Sequence, residues 1–295
     1  MDPIRTRTIQ ANGLTFAIDE AGDGDDVALL LHGFPESRRS WRAQLPALAG
    51  QGWRAVAPDL RGYGGSSRPA GRAAYRMDEL LADVGGLFDA LGARRRLLIA
   101  HDWGGVIAWV FAIDQVRPLD GLVIMNAPHP AAYLDYLRGH PTQWAKSWYV
   151  LFFQLPWLPE ALTLAQDART VRRAFSATAA NPAAFPPELL DHYAKAAQAP
   201  GAMTAMINYY RANAAELGRW GPGKAAVIAT PTLVVWGEQD PFLSVGLVDA
   251  TRPYVRDLTV ERLAHCAHWV QQEDPEGVNQ RLAGRMAAKG LAPPA

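Results

Sequence analysis

The chain has 295 residues, 49% of them hydrophobic and 20% charged, enough for one large or two modest soluble domains without disulfide or metal staples. Lys plus Arg and Asp plus Glu both number 29, a balance that leaves no electrostatic footprint for nucleic acid or another polyanion. The single cysteine, Cys266, excludes an internal disulfide framework and points to a reducing compartment.

The first twenty residues, MDPIRTRTIQANGLTFAIDE, alternate like strands at 4–10 and 13–19, with Asn12-Gly13 as the hairpin turn. They hold no apolar signal-peptide core, so a cytoplasmic location is expected. Short apolar runs follow at 27–33 (VALLLHG), 54–59 (RAVAPD), 96–102 (RLLIAHD) and 121–128 (GLVIMNAP), the signature of buried parallel strands. Helical patterns lie between them, near 40–50, 78–92 and 104–115. Strands alternating with helices predict an α/β fold whose sheet is covered on both faces.

From about 131 to 222 the pattern becomes helical and rich in Tyr, Trp, Phe and Ala, without a buried strand. Its most apolar piece, WYVLFFQLPWLP (148–159), is shorter than the roughly 20 residues of a membrane span and carries Pro156 and Pro159. Strand patterns resume at 230–240 (TPTLVVWGEQD) and 258–264 (LTVERLA), and 275–288 reads as a closing helix. The expected organisation is a core domain of 1–130 and 223–295, interrupted by a helical cap over 131–222.

Ligands of open α/β sheets bind at the carboxyl ends of the strands. There, Ala100-His101-Asp102-Trp103-Gly104 has the small-x-nucleophile-x-small spacing of a nucleophile elbow, between a predicted strand and a predicted helix. The plainer alternative makes Asp102 a helix N-cap, which explains the acid but not the flanking small residues. A carboxylate is ionised at neutral pH and attacks a carbon electrophile without a base. The ester so formed needs an activated water and an oxyanion site. His268, oriented by Asp240, is the candidate base, and the order 102, 240, 268 is that of the elbow-type triad. The backbone amides of Phe34, in HGFP, and of Trp103 are the candidate oxyanion donors. The tight His265-Cys266-x-His268 spacing does not suit a zinc site, so no metal is expected and His265 is read as structural.

These residues resemble the α/β-hydrolase fold, and within it the Asp-nucleophile branch of epoxide hydrolases and haloalkane dehalogenases. The resemblance runs through HGFPESRRSWR (32–42), PDLRGYGGSSRP (58–69), HDWGG (101–105), NAPHP (126–130), WGEQDP (236–241) and HWVQQEDPE (268–276). It implies a mostly parallel sheet flanked by helices, with an inserted cap. It also implies lid tyrosines that protonate an opening epoxide. AMINYYRANAAE (205–216) resembles the second tyrosine motif and selects Tyr210; successive helical residues point about 100° apart, which sets Tyr209 aside. KSWYVLFFQLPWLPE (146–160) resembles the first, with Phe152 where some relatives have tyrosine, and Tyr149 is the candidate there. Phe34, Trp103, Phe152 and Phe153 are expected to line an apolar pocket. The implied reaction turns a small hydrophobic epoxide and water into a vicinal diol, with no cofactor, and a homodimer is left open. Two alternatives stand beside it. A haloalkane dehalogenase would use Trp103 for halide, although Phe34 stands where many dehalogenases have Asn. A small-molecule binding protein would keep the fold without turnover.

Overall fold

A computed structural model describes residues 3–290. Its strands are β1 (Arg5–Ala11), β2 (Leu14–Ala21), β3 (Asp26–Leu31), β4 (Arg54–Pro58), β5 (Arg95–His101), β6 (Gly121–Met125), β7 (Thr232–Gly237) and β8 (Leu258–Leu263). They form one sheet in the order β1-β2-β4-β3-β5-β6-β7-β8. The β1–β2 and β2–β4 pairs are antiparallel and the others parallel. The first hairpin closes through Asn12 and Gly13, whose φ values of 47° and 70° suit the two positive-φ positions of a tight type I′ turn.

The helices are α1 (Gln44–Ala49), α2 (Met77–Ala90), α3 (Asp102–Ile113), α4 (Pro130–Gly139), α5 (Pro141–Lys146), α6 (Trp148–Phe152), α7 (Leu158–Ser176), α8 (Pro187–Gln198), α9 (Ala202–Asn213), α10 (Gly246–Thr251), α11 (Val270–Glu273) and α12 (Pro275–Ala288). Side-chain alternation along the central strands divides the core between the two faces of the sheet. Leu29, Leu31, Leu98 and Ile124 join Leu87, Phe88, Ile107 and Phe111 of α2 and α3. Leu30, Ile99, Val123 and Val235 join Leu45 and Leu48 of α1 and Val278 and Leu282 of α12. Burial on both faces is why these strands are almost uninterrupted apolar runs.

Helices α4 to α9 intervene between β6 and β7, with no strand among them. The apolar run predicted through Pro128 leaves the sheet at Met125, because Asn126 turns the chain with a φ of 38°. Helix α7 is interrupted by left-handed backbone at Gln166, Asp167 and Ala168, a break that the sequence pattern does not announce. From β3 the chain adds β4 on one side and β5 on the other, the reversal of strand order that opens a crevice at the strands' carboxyl ends. Among the described residues, no helix is long and apolar enough to cross a membrane.

Candidate active site

The carboxyl ends of five strands, or the loops directly after them, bring together Phe34, Asp102, Asn126, Asp240 and His268. At the end of β5, His101 is still extended, and Asp102 then takes a φ of 49° as α3 begins. Left-handed backbone at a non-glycine residue costs about 1–3 kcal/mol and persists only where its surroundings enforce it. Here the enforcement is close packing. A Cβ on Gly104 would meet the carbonyl oxygens of Leu31 and His32, and one on Gly33 would meet the Asp102 side chain. The glycines let the elbow press against the β3 end.

That contact sets the state of Asp102. Its Oδ1 accepts a 2.7 Å hydrogen bond from the Phe34 amide, and its Oδ2 lies 3.6 Å from His268 Nε2. Burial alone would favour the neutral acid, but His268, His101 and the Phe34 amide outweigh it and hold the carboxyl below its usual range. The Trp103 amide belongs to the first turn of α3, whose N–H groups have no acceptor within the helix.

His268 donates from Nδ1 to Asp240 Oδ2 at 2.7 Å. Asp240 is fixed by three further donors: the Asn126 side-chain amide at 2.7 Å and the backbone amides of Phe242 and Leu243 at 2.7 and 2.9 Å. Burial alone would raise its pKa, but His268 and these donors outweigh that penalty and hold Asp240 below its ordinary value, as a carboxylate. Burial would discharge the His268 imidazolium, but Asp240 and Asp102 overcome that penalty and push its pKa up to about 10. In the resting site His268 is therefore a cation between two anions.

Tyr149 and Tyr210 cross ring to ring at 6.0 Å, and Tyr210 also abuts Trp103 and Phe34 at 5.0 and 5.5 Å. Burial first, and then the nearby Asp102 charge, raises both phenols well above their usual pKa, so each remains a proton donor. Tyr209 points elsewhere and donates to the Arg61 carbonyl at 2.8 Å. Two cavities meet at this point. One of about 90 Å³ and one of about 200 Å³ share Asp102, Tyr149 and Tyr210 as lining. Trp103 lines the smaller, while Phe34, Phe152, Phe153 and His268 line the larger.

Several contributors escaped the sequence reading. Asn126 bridges Asp240 and the Gly237 amide, and its only sequence signal is NAPHP, which begins inside the end of a predicted strand. Glu36, in HGFPES, is fully buried under the elbow. Its Oε2 accepts from the Gly33 amide at 2.8 Å and lies 2.7 Å from His101 Nδ1; its Oε1 accepts from Ser40, Gln271 and Gln272. His101 then donates from Nε2 to the His268 carbonyl at 2.9 Å. Glu273 accepts from the amides of Ala267 and Trp269, on either side of His268, and from those of Ala180 and Asn181 in the α7–α8 connection. His265 lies on the surface, with its Nε2 2.9 Å from Asp274. With Cys266 these two form the one grouping of metal-ligating types among the described residues, but Asp274 already caps α12.

Residues 27–275 match the family described as α/β hydrolase fold. The chain is 38% identical to human epoxide hydrolase 4 over 282 residues, 93% of this chain and 76% of that protein. It is 32% identical to epoxide hydrolase A of Mycobacterium tuberculosis over 307 residues, 94% of this chain and 95% of that one. The crystal structure of an inhibitor-bound Bacillus megaterium epoxide hydrolase superposes with a TM-score of 0.87 at 28% identity, covering 95% of this chain and 100% of that one. The chain belongs to the epoxide hydrolases of the α/β-hydrolase fold.

Proposed function

We propose that the chain hydrolyses an apolar epoxide to a vicinal diol through a covalent ester on Asp102. One observation carries this reading: Asp102, Tyr149 and Tyr210 face the same two apolar cavities, with the His268–Asp240 pair beside the carboxylate. With Oδ1 engaged by the Phe34 amide, Oδ2 is the attacking oxygen. As it bonds to an epoxide carbon, the ring C–O bond breaks and the oxygen takes a proton from Tyr210 or Tyr149. Esterification removes the Asp102 charge, one of the two anions that keep His268 protonated. The imidazolium returns its proton to the tyrosinate and becomes a base.

Neutral His268 then takes a proton from water as the hydroxide adds to the ester carbonyl. The oxyanion forms on Oδ1, held by the amides of Phe34 and Trp103. Collapse breaks the bond between the acyl carbon and the alkyl oxygen. The proton of the added hydroxyl goes to the departing oxygen, and Asp102 is again a carboxylate. These steps draw on the chain's own side chains, two of its backbone amides and water.

On this reading, 131–222 is a cap domain over a core of 1–130 and 223–295. The exposed Trp144, Trp148, Leu151 and Trp157 of the cap support a homodimer, to be checked by sedimentation. The single buried cysteine supports a cytoplasmic location. The direct test of the mechanism weighs intact His268→Gln protein after incubation with an epoxide. A covalent adduct of the whole substrate mass on the Asp102 peptide is expected. A haloalkane adduct lacking its halogen, with no epoxide adduct, would reverse the substrate assignment.

A further inference from the structure

The two cavities that meet at Asp102 differ in a way that bears on which epoxides fit. The smaller, about 90 Å³, is bounded by Val106, Pro128, Pro130, Leu217 and Leu243. The larger, about 200 Å³, is bounded by Trp148, Phe152, Val171 and Ala174, among others. An apolar cavity of roughly 150 Å³ accommodates benzene. The larger cavity therefore has room for an aryl ring, and the smaller falls short of it.

The shared residues fix where the oxirane must sit. Its oxygen faces Tyr149 and Tyr210, and one of its carbons faces Asp102, so the ring lies at the junction. Substituents on the two carbons then diverge into different cavities. A terminal epoxide leaves one side unfilled, and each methylene withheld from an apolar site forfeits about 0.8 kcal/mol, a factor of about four.

Resting on the epoxide-hydrolase reading above, we propose that the site is built for 1,2-disubstituted epoxides with unequal arms: an aryl or similarly large apolar arm in the larger cavity, and a methyl or ethyl arm in the smaller. Val106 and Leu217 set the limit on the short arm. Val106 lies one helical turn beyond Asp102 on α3, half-buried, and Leu217 is half-buried in the short turn of helix Glu216–Trp220 and lines the same cavity.

The test compares kcat/KM for three probes: styrene oxide, trans-1-phenylpropylene oxide and trans-stilbene oxide, which carry no second arm, a methyl arm and a second phenyl arm. In the unmodified enzyme the methyl-armed probe is expected to outpace the bis-phenyl probe by at least about tenfold, the scale of overpacking a filled site. Val106→Phe should lower the ratio of methyl-armed to terminal epoxide by about tenfold, using filled volume rather than lost chemistry. Leu217→Ala, a gain-of-function variant that does not depend on tolerating a larger side chain, should raise turnover of the bis-phenyl probe relative to the other two. The cavity assignment is overturned if the unmodified enzyme takes the bis-phenyl probe as readily as the methyl-armed one, or if neither variant shifts the ratios while epoxides are still hydrolysed. If no epoxide is turned over at all, the hydrolase reading itself fails.

Discussion

His268 Nε2 lies 3.6 Å from Asp102 Oδ2, beyond hydrogen-bond length but within strong electrostatic reach. With Asp240 on its other nitrogen, the imidazolium persists up to about pH 10. A group whose pKa is raised on folding stabilises the fold fully below its unfolded value, near 6.5, and that contribution is lost as pH rises through the folded value. The stability difference between the unmodified protein and His268→Gln should therefore shrink steadily between pH 7 and pH 10. Urea unfolding at several pH values measures it. A difference that stays constant across this window would contradict the charged resting state.

Asp102→Asn keeps the shape of the elbow but removes the proposed nucleophile, and kcat should fall by about 10⁴ or more, as when a unit of a nucleophilic triad is lost. A companion measurement traces oxygen. In a single turnover in ¹⁸O-water with enzyme in excess, the diol should emerge unlabelled and the label should appear in the Asp102 peptide. A labelled first-turnover diol would mean that water attacks the epoxide directly.

On the proposed mechanism, removing the phenols of Tyr210 and Tyr149 should slow alkylation rather than ester hydrolysis. Tyr210→Phe is expected to lower the pre-steady-state alkylation rate by about 10²-fold, at the lower end for general-acid catalysis, because Tyr149 still faces the same cavities. The double variant with Tyr149→Phe should lose more than either single one. If Tyr149→Phe alone leaves alkylation unchanged, only Tyr210 supplies the proton.

Glu36 is a buried carboxylate with donors on both oxygens, so an amide in its place would turn an NH₂ group toward at least one donor. Breaking a buried charged network from one side costs about 3–5 kcal/mol, and Glu36→Gln should destabilise the fold by an amount near the lower end. Equilibrium unfolding measures this; a loss below about 1 kcal/mol would mean that the network relaxes around the amide.

The strands were legible because double-sided burial turns each into a compact apolar run, and Asn12-Gly13 announced the hairpin by its turn chemistry. The β5–α3 elbow was legible because its small residues and its acid lie within five positions. Asn126 was not, because its role depends on Asp240, 114 residues further on, and on where β6 and β7 bring the two together. Glu36 reads as an ordinary loop acid until His101, Gln271 and Gln272 close around it. The ring positions of Tyr149 and Phe152 could not be ranked from spacing in a segment where nearly every residue is apolar; the short α6 places both along the larger cavity.

Glu273 has a consequence for how this scaffold can be remodelled. Its Oε1 accepts from the Trp269 amide, and its Oε2 accepts from the Ala267 amide and from the amides of Ala180 and Asn181. The segment that carries His268 is thereby latched to the connection between α7 and α8. A chimera that exchanged the helices between β6 and β7 for those of another hydrolase would leave half of that latch without partners unless the amides at 180 and 181 were reproduced. The modularity suggested by an insertion between two strands thus ends at one carboxylate, and a chain given new helices between β6 and β7 would need its histidine loop redesigned as well.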